Sequence, residues 1–309
     1  MTPATPTDAH RSPRVAVSGA SGLVGSALCE ELEQNGYEVL RLVRREAGAG
    51  EIAWQPLDGL PEPAQAEGLD AIVHLAGESL ASGRWTDARK ERFRSSRVDA
   101  TAALVRSLQE LDAPPQSFLC ASGVGFYGDR GEKLVDETSE AGRGFLADLC
   151  VEWERAAREG NPAKRVVHLR FGVVLDKDSG ALPKMLTPAR LGLGGPMGSG
   201  EQAFPWIALD DCVAAIRWLL EHADLEGPFN VVAPPRDTSS SFARSLGRAL
   251  GRPALLPAPA FALRLALGEM ADEMLLSGQQ AVPRALEESG FSFRFADTLA
   301  ALRHVLGKA

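Results

Sequence analysis

Three glycines carry the clearest chemistry in this sequence. Gly19, Gly22 and Gly25 stand in VAVSGASGLVGSAL, between a short apolar run and a helical pattern. Glycine there allows backbone angles that other residues avoid. It also lets a pyrophosphate reach the N–H groups of a helix N-terminus, where the dipole favours an anion. The order strand, turn, helix predicts a dinucleotide seated over Gly19, Ser21, Gly22, Leu23, Val24 and Gly25. A tight structural turn is the alternative reading of the same glycines.

The next strand candidate ends in LVRR. A site for NAD would place Asp or Glu there, to accept hydrogen bonds from the ribose 2′-hydroxyl. Val43 occupies that place instead, and Arg44 and Arg45 follow. A guanidinium pairs well with a 2′-phosphate and adds about ten- to hundredfold in affinity, so NADP(H) is expected over NAD(H). Two solvated surface arginines are the alternative. A third strand candidate ends in His74-Leu75-Ala76-Gly77, where Leu75 and Ala76 would border the adenosine ribose and His74 reads as a structural residue.

The elements that must hold these residues follow a β-α-β rhythm. VAV (15–17), YEVLRLV (37–43), AIVHLA (71–76), SFLCAS (117–122) and VVHLRF (166–171) read as buried strands. Helices are expected over 23–35, with Gly36 as a left-handed cap, and over 145–157. Val98, Ala102, Val105 and Leu108 describe another helix face. The fold class is therefore α/β, a doubly wound parallel (Rossmann) sheet with a smaller C-terminal α/β substrate lobe. Residues 1–13 read as a disordered tail. Residues 14–233 form the nucleotide-binding domain with part of the substrate lobe, and 252–300 form a small C-terminal domain with an apolar helix over 260–276. A further helix would be capped by Asp210 or Asp211.

Composition excludes several functions. The 33 basic and 41 acidic residues give a net charge of −8, which argues against nucleic acid or anionic lipid as a partner. Cys29, Cys120, Cys150 and Cys212 are too scattered for a zinc site or a disulfide framework. Without a signal peptide or an apolar run of about 18 residues, a cytoplasmic protein is expected, free of membrane partners. A homodimer through helices of the central domain is the expected self-association.

GASGLVG, VHLAG, SRVDATAALV, ASGVGFYG, LRFGVVL, WIALDD and GPFNVVAP are in register over 14–233. That stretch resembles the extended short-chain dehydrogenase/reductases, the NAD(P)-dependent epimerase/dehydratase family. GRWTDARKERFRSSRV, LGLGGPMGSGEQAFPWI and the segment from LGRPALLPAPAF are similar to an atypical, sugar-nucleotide epimerase-like subgroup with a C-terminal domain of unknown function.

The resemblance implies Tyr-x-x-x-Lys chemistry with a Ser or Thr at the end of the fifth strand. The phenolate would take a proton while hydride passes to the nicotinamide, and the lysine would lower the phenol's pKa and hold the ribose. This chain departs from the pattern. Anchored on Glu154, the tyrosine and lysine positions are Leu146 and Cys150; anchored on Phe145, the partner is Leu149. Ser122 and Tyr127 are the remaining candidates for catalysis. Ser122 would orient a substrate or satisfy backbone groups, and Tyr127 would be recruited from its loop or pack at the sheet edge.

Arg97 stands where the family usually has Asn and is expected to hold the cofactor diphosphate or an anionic substrate, or else a surface ion pair. By resemblance Val174 would line the nicotinamide pocket. Arg84, Gln202 and Trp206 would face a small-molecule substrate around the glycine-rich loop 191–200. The expected function is an NADP(H)-binding oxidoreductase or epimerase-like enzyme on a small polar, nucleotide-linked substrate. Its alternative is a non-catalytic NADPH-binding or sensing module that acts through a protein partner.

Overall fold

The computed structural model describes residues 11–81 and 83–308. The expected tail therefore lies almost wholly outside the described residues. Seven parallel strands make one sheet: β1 (Arg14–Ser18), β2 (Glu38–Val43), β3 (Glu51–Ala53), β4 (Ala71–His74), β5 (Ser117–Gly123), β7 (Arg165–Phe171) and β10 (Gly227–Val231). Their spatial order is β3-β2-β1-β4-β5-β7-β10. The sequence reverses direction across the sheet between β1 and β4, so a crevice opens at their carboxyl ends.

Alternation along each strand builds two cores. Val15 and Val17 face one layer with Leu28 and Leu32 of α1 (Leu23–Gln34) and Ile216 of α6 (Leu209–Glu221). Ala16, Ile72 and Phe118 face the other, with Leu104 and Leu108 of α3 (Ala100–Leu108) and Trp153 of α4 (Phe145–Arg158). Full burial of each leucine stabilises the fold by about 1.5–3 kcal/mol. Gly36 ends α1 at φ +83° as expected.

The helix before α3 starts at Asp87 as α2 (Asp87–Arg94) and passes through one π-helical turn, Ser95–Asp99. Such turns insert an extra residue into the ladder and occur often at functional sites. Arg97 sits in this one.

A third core joins β8 (Val173–Leu175), β9 (Trp206–Ala208), α5 (Leu182–Arg190), α7 (Ser239–Leu250) and α11 (Thr298–Val305). The expected helix over 260–276 is broken: Gly268, at φ +64°, separates α8 (Ala260–Leu267) from α9 (Glu269–Ala271) and a final π-turn to Leu276. β11 (Gln280–Ala281) pairs with β6 (Leu134–Val135), and α10 (Arg284–Glu288) follows. Residues 252–300 do not gather a core of their own. Met270, Ala281, Leu286 and Phe295 each join a cluster with upstream residues.

Asp210 and Asp211 do not cap α6, whose N-cap is Ala208. Asp211 instead accepts the amides of Arg294 and Phe295 at 2.9 and 3.0 Å, and Asp210 pairs with Arg294 and His304. Their carboxylates bind a distant strand of chain in preference to their own helix end.

Candidate nucleotide and substrate sites

Contact explains each glycine of the first turn. Gly19 has φ +68°, and a Cβ there would lie 3.0 Å from the Ala76 amide nitrogen and the Leu75 carbonyl. A Cβ on Gly25 would meet the Gly19 carbonyl oxygen at 2.2 Å. Gly22 is the N-cap of α1 and offers no side chain to its amides. The first N–H groups of α1 thus point outward at the sheet's carboxyl edge, with Ser21 and Gly22 exposed and Leu23 and Val24 half-buried.

Ser18 fixes the neighbouring strand end. Its hydroxyl oxygen accepts from the Leu75 and Ala76 amides at 3.0 and 3.2 Å, so its proton goes to His74 Nδ1 at 2.8 Å. Burial lowers the His74 pKa to about 4. His74 is structural, as expected, and Leu75 and Ala76 are left half-buried beside Gly19.

At the end of β2, Val43 is half-buried and the two arginines diverge. Arg45 is committed to Glu51 through two bonds of 2.8 and 2.6 Å. That pairing corrects the expectation of a double arginine site. Arg44 is exposed and has no hydrogen bond or ion pair among the described residues.

Arg97 is not a surface ion-pair partner. It is 8% exposed, its Nη2 donates to the Glu78 carbonyl at 2.8 Å, and its guanidinium lies over Trp153 at 5.2 Å. A Cβ on Gly77 would lie 3.1 Å from its Cζ, so Gly77 makes room for it at the carboxyl end of β4. Burial lowers its pKa to about 10, which leaves it cationic at neutral pH. Its charge also acts on the Cys150 thiol. A fixed cation from the π-turn therefore stands near Cys150.

Ser122 and Tyr127 occupy a closed network instead of a cleft. Ser122, Arg170 and Asn230 are in register across β5, β7 and β10. Ser122 donates to Glu154 Oε1 at 2.7 Å, and Arg170 holds both Glu154 oxygens at 2.7 and 2.8 Å. Arg170 Nη1 donates to the Tyr127 hydroxyl at 3.0 Å, and that hydroxyl donates to Asn230 Oδ1 at 2.7 Å. Burial pushes the Tyr127 pKa up to about 12. Tyr127 is thus a structural phenol: the ring is fully buried and phenolate formation is opposed. Ser122 likewise spends its proton on Glu154.

Sequence reasoning missed Arg170 and Asn230 as members of this set. A charged residue in the middle of VVHLRF was the available signal, because a central strand must pair any charge it buries.

Leu146 faces Gly125, and Cys150 donates to the Gly123 carbonyl at 3.7 Å. Beside Leu146 opens a polar pocket of about 300 Å³ whose ionisable walls are Asp129, Arg143, Arg264, Asp272 and Glu273. Glu273 accepts from the Phe145 and Leu146 amides at 3.3 and 3.1 Å. The C-terminal segment thereby caps α4, a contact with no local signature in sequence.

One of the three substrate expectations is corrected. Trp206 is fully buried, its Nε1 bound to Asp237 at 2.8 Å. Gln202 ties Met197 to Leu275 through their carbonyls at 3.0 and 2.6 Å. Arg84 donates to the Leu265 carbonyl at 3.1 Å, linking the loop after β4 to α8. Val174 is half-buried in β8, paired with Ile207 of β9.

A reversing parallel sheet with an uncapped glycine turn at the switch point defines a Rossmann nucleotide-binding protein. Residues 15–232 match the NAD dependent epimerase/dehydratase family, and residues 258–305 match a domain of unknown function, DUF1731. The chain belongs to that epimerase/dehydratase family. It is 40% identical to mouse epimerase family protein SDR39U1, over 95% of this chain and 99% of that protein. It is 33% identical to YfhF of Bacillus subtilis, over 94% and 97%. Human SDR39U1, solved with NADPH, superimposes with a TM-score of 0.88 at 36% identity, over 96% of this chain and all of that one. A nucleoside-diphosphate sugar epimerase from Corynebacterium glutamicum gives 0.79 at 36% identity, over 96% and 58%.

Proposed function

We propose that this protein is an NADP(H)-dependent oxidoreductase whose active site works without the tyrosine–lysine pair. The glycine turn carries the reading: the amides of α1 are uncapped, and Gly19 and Gly25 have no space for a side chain. The human relative solved with NADPH supports the choice of cofactor. When bound, the nicotinamide would supply or accept hydride. The diphosphate would rest on the α1 amides, and Arg44 would meet the 2′-phosphate.

Arg97 would take over the cationic part of the lysine. Its Nε has no hydrogen-bond partner among the described residues and remains available to a ribose or phosphate oxygen. The polar pocket beside Leu146 would receive the reacting carbonyl or hydroxyl. Leu146 and Cys150 cannot exchange its proton, so that role falls to an ionisable wall residue.

One observation favours a second reading, a non-catalytic NADPH-binding module. Both tyrosine and serine candidates are locked in the buried network. Calorimetry with NADPH and NADH tests the cofactor site, with preferential NADPH uptake expected. Oxidation of NADPH on adding a panel of sugar nucleotides, carbonyls or quinones, lost in Arg97→Ala, supports the enzyme. Binding with no turnover across the panel supports the module.

A further inference from the structure

We propose that the cavity between α5, α7 and the segment 253–275 binds a long-chain amphiphile, one flexible hydrocarbon chain with a compact oxygen-bearing head. The cavity measures about 540 Å³, within the size range of small-molecule sites. Its walls are almost wholly apolar. They include Met185, Met197, Met270 and Met274, which are all the methionines of the sequence apart from Met1. Unbranched thioethers adapt to a flexible chain better than branched side chains do.

The surface continues the cavity outward. Leu191, Leu193, Leu255, Leu256, Phe261 and Leu265 are each more than half exposed. Leu193 and Leu256 are also cavity walls, so the apolar rim and the interior are one surface. Helix α8 buries none of its residues although AFALRLAL has Arg264 as its one polar member. An apolar rim of this kind marks an entrance or a contact. Its continuity with a cavity identifies an entrance.

The head group follows from the single charge in the wall. Lys184 donates to the Ala81 carbonyl at 2.9 Å and has no carboxylate partner among the described residues. One ammonium suits a carboxylate or carbonyl oxygen. A nucleoside diphosphate would bring more negative charge than this wall can match, so the nucleotide-linked substrate expected from sequence is not favoured here. Ala81 and Val173 place the cavity against the loop after β4 and against Val174. This ligand goes beyond the reading above, because its head at Lys184 lies in a different cavity from the polar pocket beside Leu146.

The test uses the full chain and cis-parinaric acid, a fluorescent long-chain acid. A saturable rise in fluorescence near one equivalent is expected, reversed by oleate and not by UDP-glucose. Lys184→Gln should weaken binding about tenfold, and Met185→Trp, by filling the cavity, should abolish it. Met274→Trp repeats the filling test from another wall, and unchanged NADPH affinity certifies that each variant is folded.

No saturable rise, displacement by UDP-glucose, or full binding in the folded filling variants would overturn the proposal. So would light scattering that reports a dimer dissolved by Phe261→Asp while the cavity refuses the probe. NADPH uptake without probe binding defeats this inference alone. Probe binding without NADPH uptake defeats the cofactor reading and leaves this one standing.

Discussion

The Glu273 carboxylate sits at the N-terminus of α4, with Oε2 3.1 Å from the Leu146 amide. A residue of the C-terminal segment thus performs the capping that a local Ser, Thr or Asp usually provides. Replacing Glu273 with Ala should destabilise the protein by about 1 kcal/mol. Urea denaturation measures the loss, and faster hydrogen exchange at Phe145 and Leu146 locates it.

The cofactor turn makes a sharper demand. In Gly25→Ala the new methyl would have to displace the Gly19 carbonyl, since the two atoms would otherwise stand 2.2 Å apart. Overpacking costs about 1–3 kcal/mol of stability, and the shifted Gly19 carbonyl should weaken NADPH binding about tenfold. Calorimetry that found wild-type affinity would falsify the placement of the diphosphate.

Arg44 and Arg45 are adjacent in sequence and should behave differently. Arg44→Ala should cost NADPH about tenfold or more in affinity and leave NADH unchanged. Arg45→Ala breaks the exposed pair with Glu51 and should change selectivity far less. Titration of both variants with both nucleotides separates the two.

Tyr127→Phe tests the buried network directly. The substitution leaves Asn230 Oδ1 and Arg170 Nη1 without the hydroxyl they share, at a cost of about 1–3 kcal/mol. NADPH affinity should hold. Loss of turnover with stability intact would return Tyr127 to the reaction.

Stability should also fall as the pH drops below 6.5. Burial lowers both His74 and His168 to about 4, from an ordinary value near 6.5. Between those values the unfolded imidazole binds a proton that the folded one refuses. The stabilisation is therefore complete above pH 6.5 and declines toward pH 4, by about 1.4 kcal/mol per pH unit for each histidine. Unfolding free energies at pH 6.5 and 5.5, in wild type and His74→Gln, give the slope; an unchanged slope in the variant rejects the assignment.

Much of the architecture was legible because its signals are local. The run VAV, the glycines after it and the spacing of Leu28 and Leu32 all lie within twenty residues, and each specifies its own element. The strands at 51–53 and 227–231 were harder, the first being only three residues long and the second following Gly-Pro-poor helical text without alternation. The site was read unevenly for a related reason. Gly19 and Arg44 speak through their neighbours, whereas Tyr127 is defined by Asn230, 103 positions away, and Trp206 by Asp237. Side-chain type alone made Trp206 and Tyr127 look available; only the folded partners show them taken. Gly268 marks the broken helix, because glycine turns to φ +64° at little cost while the apolar periodicity around it runs on unbroken.

The grip of Asp211 on Arg294 and Phe295 bears on biosynthesis. Phe295 and Leu302 complete the core around Trp206 and Phe242, so a ribosome that has already delivered the whole sheet still holds a molecule with that core open. Until the last of those residues emerge, the core that holds Trp206 and Phe242 lacks the side chains that complete it.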